Sequence, residues 1–231
     1  MKREWFWRFG IYLVGVAFAA VGTGVGTKTG MGISPVNAIP FAFSRAFEVE
    51  LSTAVFCFLT LMTALQFLIR GKQYRWMDLL QIPFSIVFSA LIGLFDGILQ
   101  VPEPLWQKFC MLGASILMLG IGVTLMVNMR IAPNPADGLA DTIGWALGRD
   151  MGFGKNIADI CFVIIAFLVD ILFGTLWCSI GLTTVISSIF LGRFIALFNH
   201  ILRERILHLA GLEAPPGRNQ PKLTPERMEH V

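Results

Sequence analysis

The hydrophobic positions of the chain are grouped into six long apolar stretches, which are separated by shorter polar connections. Each stretch is about 20 residues long, the length that an α-helix needs to cross the hydrocarbon core of a bilayer. The pattern therefore predicts an all-α protein with six membrane-spanning helices, at about residues 8–27, 51–69, 79–99, 107–127, 155–173 and 178–199.

Two of the polar connections carry the same motif, one hundred residues apart. The dipeptide Ser34-Pro35 follows the first span and Asn134-Pro135 follows the fourth, and an Asx residue stands two positions after each proline. Ser or Asn before Pro is a common helix start, because the cap side chain accepts a free backbone N–H and the proline has none to satisfy. Each motif therefore predicts a short helix that interrupts the membrane pattern.

The two motifs belong to a longer internal repeat, with one copy at about 8–100 and the other at about 107–210. The match extends to the span ends, where Asp96 of the third span corresponds to Asn199 of the sixth. Each copy holds three spans and one short helix. Because three is odd, the second copy starts on the opposite side of the membrane, which predicts inverted repeats. Secondary transporters commonly use this plan, with the binding site between the repeats.

Composition and charge support a membrane protein. The 231 residues are 55% hydrophobic and 14% charged, whereas soluble domains carry about 25% charged residues. With a cytoplasmic N-terminus, most Lys and Arg residues fall on the inner side, as the positive-inside rule requires. We therefore expect one transmembrane domain over 1–210 with both termini in the cytoplasm, in which 193–210 leaves the membrane along its inner surface. Residues 211–231 are predicted to be a disordered tail.

Five polar residues near the two helix starts are candidates to bind a substrate or an ion: Ser34, Asn37, Asn134, Asp137 and Asp141. In one interpretation they only cap the helices, with Asn37 and Asp137 bonding back toward the cap residue. In the other, the short helices enter the membrane from opposite sides and face a shared cavity. Free N–H groups would then hold an anionic group, and Asp137 would bind a cation or a proton. Surface and re-entrant placements of these helices are both compatible with the sequence.

Further charges fall within or near the spans, where an ionisable residue costs about 3 kcal/mol to insert and is usually paired or functional. Lys28, Asp96 and Asp170 are candidates for such intramembrane roles. Lys155 and Asp159 stand four residues apart, which predicts an ordinary ion pair within one helix.

Small residues crowd the first and fourth spans, among them Gly15, Gly22 and Gly122. Small side chains let two membrane helices approach closely. We therefore expect these two spans to pack directly against each other, in preference to a ligand-binding loop.

The sequence gives no basis for an enzyme. It contains no Ser/His/Asp set, zinc-ligand spacing or phosphate-binding loop, so no metal site and no cofactor are predicted. The four cysteines are isolated in apolar stretches, as packed structural cysteines are. Nucleic-acid binding is not indicated either, because the basic residues lie beside the spans.

The paired Ser34-Pro35 and Asn134-Pro135 motifs, with the Leu94-Phe95-Asp96 ending of the third span, resemble the YczE/YitT-type family of small bacterial membrane proteins. The resemblance covers about 8–200 and implies a multi-pass protein of the bacterial inner membrane. Members of that family typically carry an aspartate in the first motif, where this chain has Asn37, whereas Asp137 is retained.

Two functions are compatible with these features. The first is a small secondary permease, with a site for an unidentified small solute or ion between the inverted repeats. The second is a non-transporting accessory subunit, in which 193–231 would contact another membrane protein. An ion channel is less well supported, because no polar stripe runs the length of a span. The lipid bilayer is the expected environment in each case, and so small a bundle is also compatible with a homodimer.

Overall fold

The computed structural model describes residues 2–74, 76–175 and 179–212. Within these ranges the chain folds into eight α-helices and contains no strand. Two short 3-10 segments, Gly71–Gln73 and Trp76–Leu80, connect the third and fourth helices. The helices are α1 Lys2–Thr27, α2 Pro35–Ala46, α3 Leu51–Arg70, α4 Gln81–Ile98, α5 Leu105–Met129, α6 Pro135–Ala146, α7 Met151–Leu172 and α8 Leu182–Leu209.

Six of these helices are long and apolar enough to cross a membrane, namely α1, α3, α4, α5, α7 and α8. The predicted all-α membrane fold with six spans is therefore confirmed. The last span begins later and ends later than the predicted 178–199, because α8 is one continuous helix of 28 residues that includes most of the stretch 193–210. At 1.5 Å per residue it is about 42 Å long, which exceeds the thickness of the hydrocarbon core. Of the predicted tail at 211–231, residues 211 and 212 are described and bond back to the end of α8, and 213–231 lie outside the described residues.

Both predicted short helices are present. α2 begins at Pro35 and α6 at Pro135, and each is 12 residues long. Proline fits the first helical position because its φ angle suits a helix and the N–H that it lacks would have no partner there. The first turn of each helix is largely buried, so both helix starts point into the bundle.

The helices α1 and α5 pack against each other along most of their length. A side chain on Gly22 would lie 2.7 Å from the backbone N of Leu119, and one on Gly15 would lie 2.9 Å from the carbonyl oxygen of Gly122. Early residues of α1 thus meet late residues of α5, so the two helices run antiparallel. Ser115 adds a 2.6 Å hydrogen bond to the carbonyl oxygen of Gly22. The predicted close packing of the first and fourth spans is confirmed.

The other helices are arranged in matching pairs around α1 and α5. α4 packs on α1 and α8 packs on α5, while α2 contacts α7 and α6 contacts α3. An ion pair of 2.8 Å joins Lys28, the residue directly after α1, to Asp96 of α4. At the corresponding places of α5 and α8, Asn128 donates a 2.8 Å hydrogen bond to Asn199. Each short helix therefore contacts a long helix of the other half, and the two helix starts approach the middle of the bundle.

Candidate functional site

A cavity of about 430 Å³ lies where the two short helices begin. Its lining includes Ser34 and Asn37 from the start of α2, and Asn134 and Asp137 from the start of α6. Apolar residues of α1, α3, α4 and α5 form much of the wall, and polar residues of α7 and α8 close the remaining side. A cavity of this size with an apolar wall and a few polar groups is typical of small-molecule binding sites.

The start of α2 is organised around Ser34. The backbone N–H of Asn37 donates to the Ser34 carbonyl oxygen at 2.9 Å, and the Asn37 side-chain amide donates to the Ser34 hydroxyl oxygen at 3.1 Å. The Ser34 side chain caps no backbone N–H. The predicted side-chain cap at Ser34 is therefore wrong, because the Asn37 amide supplies the donor that the hydroxyl accepts.

The start of α6 is capped as predicted, but the Asp137 carboxylate does not form the predicted bond. Asn134 accepts a 3.0 Å hydrogen bond from the backbone N–H of Ala136, so it is a true N-cap. Asp137 does not bond back toward the cap; its Oδ1 accepts a 2.8 Å hydrogen bond from the Lys155 ammonium of α7. The predicted pair of Lys155 with Asp159 is therefore wrong, because Asp137 offers Lys155 a better-placed partner on the neighbouring helix.

Two polar side chains of the cavity wall lack partners. Asp159 lies one turn after Lys155 on α7, and among the described residues its buried Oδ1 has no hydrogen-bond partner. Thr23 of α1 is 2% exposed, and its hydroxyl likewise bonds to no described residue. A buried polar group without a partner costs about 1–3 kcal/mol. Both residues line the cavity, so a ligand that reached these oxygens would supply the missing partners.

A buried glutamine pair fixes the start of α6 against α3 and α4. Gln66 donates from its amide to the Pro135 carbonyl oxygen and to Gln81 Oε1, both at 2.9 Å, and Gln81 donates back at 3.1 Å. Gly138 lies directly over this pair, because a Cβ there would be 2.9 Å from the Gln81 amide nitrogen. These contacts hold Asp137 in position through the backbone of α6.

A second cavity, of about 160 Å³, shares Asp137 with the first and includes Gln66, Arg70 and Asp78 in its lining. Asp141 lines this cavity and not the larger one, and it forms a 2.6 Å ion pair with Arg70 of α3. The predicted site residues are thus brought together except for Asp141. Asp137 thus lines both the apolar-walled cavity and this smaller, polar cavity.

The three candidate intramembrane charges lie outside the large cavity. Lys28 and Asp96 pair with each other, as described above. Asp170 is fully buried and accepts hydrogen bonds from the Ser179 backbone and hydroxyl and from the Thr175 hydroxyl. Its carboxylate therefore joins the end of α7 to Ser179, which lies shortly before α8.

Several residues at the site were not singled out from the sequence. They are the cavity-lining Thr23, Asn156, Ser187 and Ser188 and the supporting Gln66 and Gln81. A signal existed for some of them, since two glutamines and a Ser-Ser pair are unusual inside apolar spans. Thr23 lies in a glycine-rich stretch that predicts helix packing, so the sequence did not indicate a separate role for its hydroxyl.

Comparison with known proteins places the chain in a family. A family model matches residues 6–200, which is most of the chain. The chain belongs to a family of unknown function (DUF6198). No curated protein and no solved structure matches it. The matched stretch includes both short helices and the whole lining of the large cavity, so the candidate site lies within the family domain.

Proposed function

We propose that this protein is a small secondary permease of the bacterial inner membrane, with the 430 Å³ cavity as its substrate site. One observation carries the proposal: the starts of α2 and α6, which belong to different halves of the chain, line the same cavity. Helix starts from two halves that meet at a central site are characteristic of secondary transporters. The resemblance to YczE/YitT-type proteins supports the bacterial membrane, and the distribution of Lys and Arg supports cytoplasmic termini.

The arrangement of the helices supports two inverted repeats, over about 8–100 and 107–210. The order of one long, one short and two long helices occurs twice, and the leading helices α1 and α5 are antiparallel. The Lys28–Asp96 contact between the C-terminal end of α1 and α4 also has a counterpart in Asn128–Asn199 between α5 and α8. Two similar halves of opposite direction can exchange their conformations, which opens a central site first to one side and then to the other.

We assign Asp137 as the group that binds the coupling ion or proton. It lines both the large cavity and the polar cavity beside Arg70, so it can be reached from either. In the structure its carboxylate is paired with Lys155. Exchange of that partner for an ion or a proton would release Lys155 and change the contact between α6 and α7. The proposed cycle uses this exchange to couple ion binding to rearrangement of the halves, and it involves no enzymatic step.

Side-specific thiol labelling in membranes tests the proposal. Single cysteines replace Val36 and Ala136, which line the cavity but carry none of its polar groups. The background lacks the four native cysteines. An impermeant reagent is added from each face in turn. We expect both positions to react from both faces, with reactivity that shifts when pH or sodium is changed, because alternating access exposes the same cavity to both sides.

Cysteines at Lys72 and Glu103, in exposed connections at opposite ends of α4, are the controls for sidedness and should each react from one face only. If position 36 reacts only from outside and position 136 only from inside, without a response to ions, the permease proposal is wrong. The accessory-subunit interpretation would then be preferred.

A further inference from the structure

We infer that the ligand of this cavity is an organic cation, an ammonium group carried on an apolar body. The inference names the substrate class of the proposed permease and rests on that proposal for its transport step. The binding itself stands on the charges, the unpartnered polar atoms and the shape of the cavity wall.

The charges of the wall leave one negative group unbalanced. Among the described residues that line the cavity, the charged side chains are Asp137, Lys155 and Asp159. Lys155 neutralises Asp137 through the 2.8 Å ion pair, and Asp159 has no ion-pair partner among the described residues. A carboxylate away from water is costly unless a positive group or a proton joins it. The cavity therefore favours a positively charged ligand and disfavours an anion.

The unpartnered atoms match an ammonium group. Asp159 of α7 and Thr23 of α1 line the cavity from different helices, and their unpartnered Oδ1 and Oγ1 atoms can both accept hydrogen bonds. Thr23 is 2% exposed, so its hydroxyl cannot bond to a partner outside the bundle. An ammonium carries only donors, so it can serve as the partner of a carboxylate oxygen and of a hydroxyl oxygen.

The apolar wall indicates a ligand larger than an inorganic ion. Leu59, Phe88, Leu119, Met126 and Leu191 line the cavity, and its volume of about 430 Å³ is in the range for small organic ligands. Sodium or another metal ion would bind the carboxylate but would not cover the apolar wall of the cavity. An apolar body attached to the ammonium would bury it, with a gain of about 25 cal/mol for each Å² removed from water.

A proton and the cation compete for Asp159. The titratable groups that face it are Lys155 on its own helix and Asp137 on α6, and the other polar residues around it, including Thr23 and Ser188, do not titrate in this range. Protonation of Asp159 removes the charge that attracts the ligand. Binding of the cation must therefore weaken as the pH falls, and each cation bound by the protonated cavity releases one proton.

The test compares three probes of similar shape that differ in charge: phenethylammonium, 3-phenylpropionate and 2-phenylethanol. Affinity is measured by calorimetry on the full chain in nanodiscs. We expect the ammonium to bind at least about tenfold more tightly than the other two, which corresponds to 1.4 kcal/mol. Asp159→Asn should lower the ammonium affinity about tenfold or more and leave the alcohol unchanged, and lowering the pH should weaken ammonium binding to the unmodified protein only.

Asp150→Asn is the matched control on the same helix. Asp150 caps α7 by accepting from the Phe153 N–H at 2.8 Å and does not line the cavity, and Asn is an equally good cap. This variant should keep the full ammonium affinity. Thr23→Val provides a second test that does not depend on the carboxylate, because it should lower ammonium affinity several-fold while leaving the unliganded protein at least as stable as before.

Equal affinity for the three probes, tighter binding of the propionate, or no detectable binding of the ammonium overturns the inference. So does an Asp159→Asn protein that is folded and binds the ammonium normally. These outcomes are separate from those of the labelling experiment. If the ammonium binds through Asp159 but labelling shows no alternating access, the ligand class is supported and the permease proposal is wrong.

Discussion

Asp137→Asn is expected to unfold at a clearly lower temperature than the unmodified protein, because it leaves the Lys155 ammonium without its partner. The side chains of Asp137 and Lys155 are 21% and 39% exposed, so the pair is partly screened by its surroundings. Removing one member of a fully buried pair costs about 3–5 kcal/mol, and the exposure of Lys155 reduces the expected cost to about 1–3 kcal/mol. Thermal unfolding in detergent or nanodiscs measures it.

The double variant Asp137→Asn/Lys155→Gln shows whether the loss comes from the pair. We expect it to recover much of the stability that the single variant loses, because both members of the pair are then neutral and Lys155 no longer leaves a charge without its partner. Asp141→Asn is the control on the same helix. It breaks an ion pair whose carboxylate is 54% exposed, and such surface pairs are worth about 0–1 kcal/mol. Lys155→Gln is also measured alone. If the losses of stability of the two single variants simply add in the double variant, the pair is not the source of the loss.

Gly122→Leu is expected to prevent normal assembly of α1 and α5. A Cβ at this position would lie 2.7 Å from the Gly15 carbonyl oxygen and 2.9 Å from the Ala19 Cα, so the obstacle is backbone and cannot move aside. Overpacking typically costs about 1–3 kcal/mol, and here a whole helix must shift to make room. We expect most of the variant to be lost as aggregate on size-exclusion chromatography, and the remainder to unfold at a lower temperature.

The matched control is Gly113→Leu, on the same helix. No described atom lies within 4 Å of a Cβ placed there, outside the helix itself and the neighbouring residues. Leucine also has a better helix propensity than glycine. This variant should be at least as stable as the unmodified protein. Equal yields and unfolding temperatures for the two leucine variants would contradict the close α1–α5 packing.

The parts of the fold that depend on local rules were predictable from the sequence. The starts of α2 and α6 follow from a cap residue and a proline, which act within one turn of helix. The number of spans follows from the length of the apolar stretches. The packing of α1 on α5 follows from glycine, because a helix surface without side chains is most useful where another helix approaches.

The side-chain partners at the site could not be predicted in this way. Spacing in the sequence places Asp159 beside Lys155, but the position of α6 against α7 brings Asp137 closer. Spacing also places Asp141 near Asp137, but Asp141 forms an ion pair with Arg70 of α3 and lines the polar cavity. The contact of Gln66 with Pro135 joins residues 69 positions apart. Such partners depend on the packing of helices that are distant in the sequence, which periodicity alone does not specify.

The measurement that tests the central claim most directly is an intramolecular cross-link between cysteines at Val36 and Ala136, made in membranes with a short flexible bis-maleimide. Both positions line the same cavity, so we expect one reagent molecule to join them within a single chain. The control pair combines position 36 with Leu209, at the far end of α8. It should not be joined, because Thr184 of α8 bonds to the Ile33 carbonyl oxygen and Leu209 lies 25 residues further, about 38 Å along the helix. Two cysteines at 36 and 136 that each react with the reagent but are never joined would contradict a shared cavity between the two helix starts.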